Sequence, residues 1–173
     1  GFRVLGYDRR GHGRSDGKQG VIGSVDQLVA DFSQVIALGK TENPGVPVFL
    51  YGHSLGALGV LYYALREKPD VEGIIASSPP LDSGTIPDNQ KKLIKLLEPL
   101  LPHLAIPSKL DRNALSRDQA VIDAYSADPL VHDKVSVRLG AHFVNAPEYI
   151  FSHINEWRLP LYLAHGTEDR ICP

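Results

Sequence analysis

The chain has 173 residues, 43% of them hydrophobic and 22% charged, with a formal net charge of −2. That composition describes a globular domain with enough apolar material for a core, and it excludes disordered and collagen-like chains. Eighteen Lys and Arg against twenty Asp and Glu leave no basic excess for a nucleic-acid partner, the single cysteine excludes an intrachain disulfide, and the longest apolar run, residues 57–65, is too short to span a bilayer. The sequence also lacks methionine, where about three or four are expected at this length. Gly1 abuts a strand-like run, so a piece cut from a longer chain is the expectation.

In chain order, residues 2–7 read as the first buried strand. Ser24 with Gln27 three residues later forms a capping box, and Val25, Leu28, Val29, Phe32, Val35 and Ile36 recur at helical spacing up to a stop at Gly39. Residues 47–51 read as a second strand. A helix from about Leu55 places Leu58, Leu61, Tyr62 and Leu65 on one face and stops at Pro69; residues 71–76 read as a third strand. Short apolar runs without alternation suit a parallel sheet covered on both faces. Strands alternating with helices predict an α/β fold.

Residues 81–159 break that rhythm, with several helical patterns and no clear strand. Residues 89–104 carry a leucine-rich helix broken at Pro99 and Pro102. Ser116 with Gln119 suggests a cap for a helix ending before Pro129, and Pro147 fits the first turn of a helix reaching Trp157. A last strand covers residues 160–164. The expected organisation is a core part over 1–80, a helical insertion over 81–159 and a return to the core over 160–173.

The chemistry concentrates at Gly52-His53-Ser54-Leu55-Gly56, a G-x-S-x-G between a strand and a helix. In that context the serine sits on a sharp turn with its hydroxyl exposed, and the Leu55 N–H points at a developing oxyanion. Glycines on both sides are expected because side chains would collide there. The plain alternative is a serine that only caps the helix. A serine nucleophile needs a base and an orienting carboxylate, in the chain order serine, acid, histidine. Asp169, after the strand at 160–164, is the expected acid, with Glu168 in reserve. Only four residues follow Asp169 and none is histidine; the seven histidines all precede it. The triad histidine is therefore absent from the expected place.

These residues resemble an α/β-hydrolase family, in particular its monoacylglycerol lipase and lysophospholipase branch, related to serine aminopeptidases of the proline iminopeptidase type. Asp8-Arg9-Arg10-Gly11-His12-Gly13-Arg14-Ser15 resembles the family's D-x-x-G-H-G-x-S loop. Residues 43–56 resemble the approach to the nucleophile elbow, and Ala76-Ser77-Ser78-Pro79 the end of the following strand. Leu115-Ser116-Arg117 and Tyr125-Ser126-Ala127-Asp128-Pro129-Leu130 resemble the lid of monoacylglycerol lipases, and residues 165–172 the acid loop. The resemblance implies a mostly parallel α/β-hydrolase sheet with a helical lid, truncated at both ends. It gives Ser54 as nucleophile, Asp169 as triad acid and the Leu55 N–H as one oxyanion donor. Arg9 and His12 become structural loop residues. The second oxyanion donor and the histidine fall outside the chain, so the 173 residues alone are expected to be inactive.

The implied reaction is hydrolysis of a small lipid ester, monoacylglycerol first, through an acyl-enzyme and without metal or organic cofactor. Lysophospholipase, general esterase, aminopeptidase and a non-catalytic binding protein are the alternatives. The lid could touch a membrane surface transiently, with Lys91, Lys92, Lys95 and Lys109 facing anionic lipid. The plainer expectation is that most lid leucines pack onto the sheet and the lysines form a solvated face. Cys172, three residues past Asp169, is expected to border the pocket as an inert thiol.

Overall fold

The computed structural model describes residues 1–82, 86–108 and 110–172. Strands β1 (Phe49–His53), β2 (Gly73–Ser77) and β5 (Leu161–Ala164) form a three-stranded parallel sheet in the order β1-β2-β5. The loops leaving all three strands therefore meet at one edge, with β2 in the middle.

Helix α2 (Leu55–Glu67) is the central packing element. Eight of its residues are buried, and Leu58, Leu61 and Leu65 meet Ile74 and Ala76 of β2 in the main core. Leucines and alanines on nearly every face suit a helix enclosed on several sides. It ends where Lys68 turns left-handed at φ 48°, one residue before Pro69. Helix α1 (Val25–Glu42) lies against it through Phe32 and Tyr63, whose ring centroids are 5.4 Å apart. The Ser24 hydroxyl accepts from Gln27 N at 3.0 Å, as the capping pattern indicates. The helix runs past Gly39 to Glu42 because nothing there forces a stop, and Asn43 Nδ2 caps it by donating to the Gly39 carbonyl at 2.9 Å.

Residues 2–7 are not a strand. They run beside α1: Arg3 bonds Asn43 at 2.7 Å, and Tyr7 stacks edge-on against Phe32. A strand exists only with a neighbour to accept its backbone hydrogen bonds, and β1 pairs with β2 alone, so these residues have none. Phe2 is 98% exposed. Nor is the sheet covered on both faces. Leu50 and Gly52 turn toward α2, whereas Phe49, Tyr51 and Tyr162 stay exposed on the other face, where no described residue packs as a layer.

The stretch read as strand-free holds two short strands, β3 (Ala105–Pro107) and β4 (Lys134–Ser136), paired antiparallel. Three residues each are too few to show a period. Helix α3 (Asp88–Leu97) stops before Pro99. Helix α4 (Gln119–Ala127) is capped by Asp118, not Ser116, because the Asp118 carboxylate reaches Ala120 N at 2.9 Å while Ser116 Oγ is used by Asp118 N. Helix α5 (Val137–Ser152) starts ten residues before Pro147, capped by Ser136, and holds that proline in its interior. An interior proline forfeits a hydrogen bond at about 3 kcal/mol. The buried face of Leu139, Val144, Ala146 and Ile150 offsets it.

The expectation that most lid leucines pack inward does not hold. No residue of α3 is buried, and Leu93, Leu96, Leu100, Leu101 and Leu104 are all exposed. Only the Ile94 side of α3 meets α5, near Gly140. Lys91 and Lys95 pair with Asp88 and Glu148, at 3.8 and 4.0 Å. Lys92 is exposed, and Lys109 lies outside the described residues.

Candidate active site

Ser54 sits where β1 turns into α2, at φ 52° and ψ −121°. A residue with a Cβ is strained there by about 1–3 kcal/mol. It occupies the N-cap position, yet its hydroxyl makes no capping bond. The side chain is thus not used to stabilise the helix. The corner depends on Gly52, because a Cβ there would run into the Gly56 carbonyl and lie 2.6 Å from Ala57 N. Gly56 differs from the expectation: a Cβ at that position meets nothing within 4 Å. The steric demand falls on one glycine because only Gly52 faces the first turn of the helix.

The first intrahelical bond of α2 runs from Leu58 N to Ser54 O at 3.0 Å. The Leu55, Gly56 and Ala57 N–H groups precede it and have no acceptor within the helix. They form the positive end of α2 beside the Ser54 hydroxyl, an arrangement that favours negative charge.

Asp169 lies in the loop after β5. Its Oδ1 accepts from Ile171 N and Cys172 N, each at 2.9 Å. Partial burial pushes its pKa up. The Cys172 and Ile171 N–H groups, the Ser78 hydroxyl and nearby His165 outweigh that, so the group is held below the usual carboxylate range and stays charged at neutral pH. Glu168, the reserve acid, is exposed and bonds Arg117 of the 81–159 segment instead.

Cys172 joins the two halves. It is buried, its Sγ is 3.5 Å from Ser54 Oγ, and its N–H holds Asp169. Burial pushes the thiol pKa up against the effect of the Ser54 hydrogen bond, and the Asp169 charge adds to the rise. A protonated, buried thiol is a poor nucleophile.

Among the described residues no histidine hydrogen-bonds Ser54. His53 Nδ1 meets Ser77 Oγ at 3.2 Å, and His165 Nδ1 meets the Gly166 carbonyl at 3.2 Å. His12 Nε2 lies 3.0 Å from Arg9 Nη2 and its Nδ1 3.1 Å from the Arg10 carbonyl, which fits the tautomer protonated on Nδ1. His132 is tied to the Gly11 carbonyl at 2.8 Å and to Lys134 N. His142 is buried edge-on to Tyr62. His153 stacks on Tyr149, and His103 lies in the turn after α3. The Asp8–Ser15 loop is braced internally, by Arg14 N to Asp8 Oδ2 at 2.9 Å and Ser15 Oγ to the Asp8 carbonyl at 2.6 Å. An apolar groove of about 380 Å³ opens beside the acid loop, lined by Pro79, Leu81, Asp82, Phe151, Leu163 and His165.

The family model described as serine aminopeptidase, S33, matches residues 1–173. The chain belongs to this hydrolase family. It is similar to the monoacylglycerol lipase of Paleococcus ferrophilus at 36% identity and a TM-score of 0.85, over 96% of this chain and 63% of that one. A soluble variant of the Saccharomyces cerevisiae monoglyceride lipase, solved with a substrate analog, shares the fold at a TM-score of 0.77 and 24% identity, over 96% of this chain and 59% of that one. The rat monoglyceride lipase is 31% identical over 98% of this chain and 56% of its own length; the monoacylglycerol lipase of Mycolicibacterium smegmatis is 30% identical over all of this chain and 62% of its own. The chain therefore spans less than two thirds of the length of these relatives. Its parallel sheet and the helices around it are those of the α/β-hydrolase fold.

Proposed function

We propose that this chain carries the nucleophile and acid of a serine ester hydrolase acting on monoacylglycerols. The observation behind this reading is Ser54: a non-glycine residue held at φ 52° with an uncapped hydroxyl, at the positive end of α2. Strain of this kind serves a hydroxyl that must stand clear of both strand and helix.

Ser54 Oγ attacks the acyl carbonyl while a base takes its proton. The Leu55 N–H donates to the oxygen that becomes negative. The carbon–oxygen bond to the glycerol then breaks, and the alcohol leaves with the proton the base held. Water attacks the acyl-enzyme by the same route and regenerates Ser54. Asp169, charged and clamped at Oδ1, orients the base and stabilises it when protonated. None of the seven histidines is placed for this, so we take the base and the second oxyanion donor to come from outside these 173 residues. On this reading the chain as given shows no ester turnover.

The lid supports a lipid substrate. Leu93, Leu96 and Leu100 form an exposed stripe along and just beyond α3, flanked by exposed Lys92. An apolar stripe beside cations fits transient contact with an anionic membrane surface. The test is a substrate panel on the full-length protein: monoacylglycerols, lysophospholipids, simple esters and prolyl amides, each against Ser54→Ala. Preferred turnover of monoacylglycerols, lost by at least about a thousandfold in the variant, is the expected outcome. Preference for prolyl amides would reassign the substrate, and turnover surviving Ser54→Ala would remove the mechanism.

A further inference from the structure

Strand β4 fastens the stretch before it to the body of the molecule. Ser136 is buried, and its N–H donates to the Gly20 carbonyl at 2.9 Å. Just before β4, His132 donates from Nε2 to the Gly11 carbonyl at 2.8 Å and accepts from Lys134 N on Nδ1 at 3.1 Å. Only the neutral ring protonated on Nε2 makes both bonds together. Further back in the same stretch, Arg117 directly precedes Asp118, the cap of α4, and Ser116 Oγ accepts from Asp118 N at 3.0 Å. Arg117 is therefore carried on a capped helix start rather than on a free loop. Its guanidinium bonds the carboxylate of Glu168, the residue before Asp169.

We propose that Arg117 is a positioning residue for the acid loop, its ion pair with Glu168 setting that loop, and Asp169 with it, from outside. The inference rests on the reading of Ser54 and Asp169 above. Two peptide N–H groups hold Asp169 Oδ1, but both belong to the acid loop and move with it. Past the acid, Cys172 Sγ lies 3.5 Å from Ser54 Oγ and fixes the loop on the elbow side. Arg117 fixes it on the other side, one residue from the acid. The two neighbouring carboxylates thus divide the work: Asp169 is clamped within the loop, and Glu168 faces outward to the cation. The Arg117 and Glu168 side chains are 86% and 74% exposed. A pair in water is weak and screened by salt, so the position it sets is adjustable by ionic strength.

Both partners are on the surface, so neutral variants remove the pair without disturbing the core. In the full-length protein, with a soluble p-nitrophenyl ester, Arg117→Gln and Glu168→Gln should each lower kcat about two- to fivefold, the range an exposed ion pair supplies. Here kcat is counted per Ser54 titrated with a fluorophosphonate, and KM and melting temperature should not change. Exchanging the charges, Arg117→Glu with Glu168→Arg, should restore most of the lost kcat. Raising NaCl from about 0.05 to about 0.5 M should bring wild-type kcat down toward the single variants and leave theirs unaltered. Wild-type kcat in the single variants, no recovery on charge exchange, or the same salt response in all proteins would overturn the proposal. A loss confined to KM would overturn it too, because the pair would then serve substrate binding. Asp169→Asn run alongside keeps the two readings apart. If it abolishes turnover while Arg117→Gln is fully active, only the role of Arg117 is lost; if Asp169→Asn is as active as wild type, the acid assignment itself is lost.

Discussion

At Ser54 the local geometry works against the residue type, and the strain is held by its neighbours. Gly52 permits the close approach of strand and helix, and the Ser54 N–H is anchored on the Ser77 carbonyl. The two elbow glycines should therefore respond differently. Gly52→Ala puts a methyl into the Gly56 backbone and should cost more than about 2 kcal/mol, read as a fall in melting temperature. Gly56→Ala enters open space in a helix and should be neutral or stabilise by up to about 1 kcal/mol. Equal losses from both would show that the corner is read wrongly. The elbow was legible in sequence because its chemistry is local: five residues, a strand before and a helix after. The loop after β5 that carries Asp169 was legible for the same reason. The sequence puts Cys172 near the pocket, but its contact with Ser54 Oγ spans 118 residues of chain and no local pattern displays it.

Among the elements, α3 departs furthest from a packed helix: none of its residues is buried. Its Leu93 and Leu96 stay exposed and add little to the core, and the membrane contact we propose would bury them. Burying one leucine in lipid is worth about 1.5–3 kcal/mol. Leu93→Glu with Leu96→Glu should thus weaken binding of the full-length protein to phosphatidylglycerol vesicles by more than tenfold, measured by co-sedimentation, with hydrolysis of a soluble ester unchanged. Unaltered vesicle binding would mean that the stripe faces something else. The sequence displayed this helix and its stop at Pro99 clearly, since a leucine-rich period survives without tertiary help. It could not display which side meets α5. The same limit explains residues 2–7, which have the composition of a strand but no neighbour to pair with. The interior Pro147 misled in another way: a proline normally marks a helix start, and here tertiary burial carries it ten residues inside α5.

For the whole molecule, the two histidines held neutral by the fold make acid destabilising. Burial, with the Arg9 charge adding to it, lowers the pKa of His142 to about 4; burial, Arg9 and His132 lower that of His12 to about 4, against the opposing Arg10 carbonyl and Asp8. Unfolded, each takes up a proton near pH 6.5. Stability from the neutral forms is therefore complete above about 6.5 and is lost as pH falls toward 4, because the unfolded chain binds protons the fold refuses. For His142 the loss amounts to about 3 kcal/mol. Melting temperature should fall steadily from pH 7 to pH 4.5, and His142→Leu should flatten that slope. A slope unchanged by the substitution would place the acid sensitivity elsewhere. The sheet order also belongs to this scale. With β2 between β1 and β5, the elbow and the acid loop leave the same edge, and Cys172 spans them. We propose Ser54 as the activated nucleophile of this edge. The most direct test is covalent labelling of the full-length protein with a fluorophosphonate, followed by peptide mass spectrometry. One phosphonylated residue, Ser54, and no labelling of Ser54→Ala is the expected result; modification at another residue, or labelling that persists in Ser54→Ala, would contradict it.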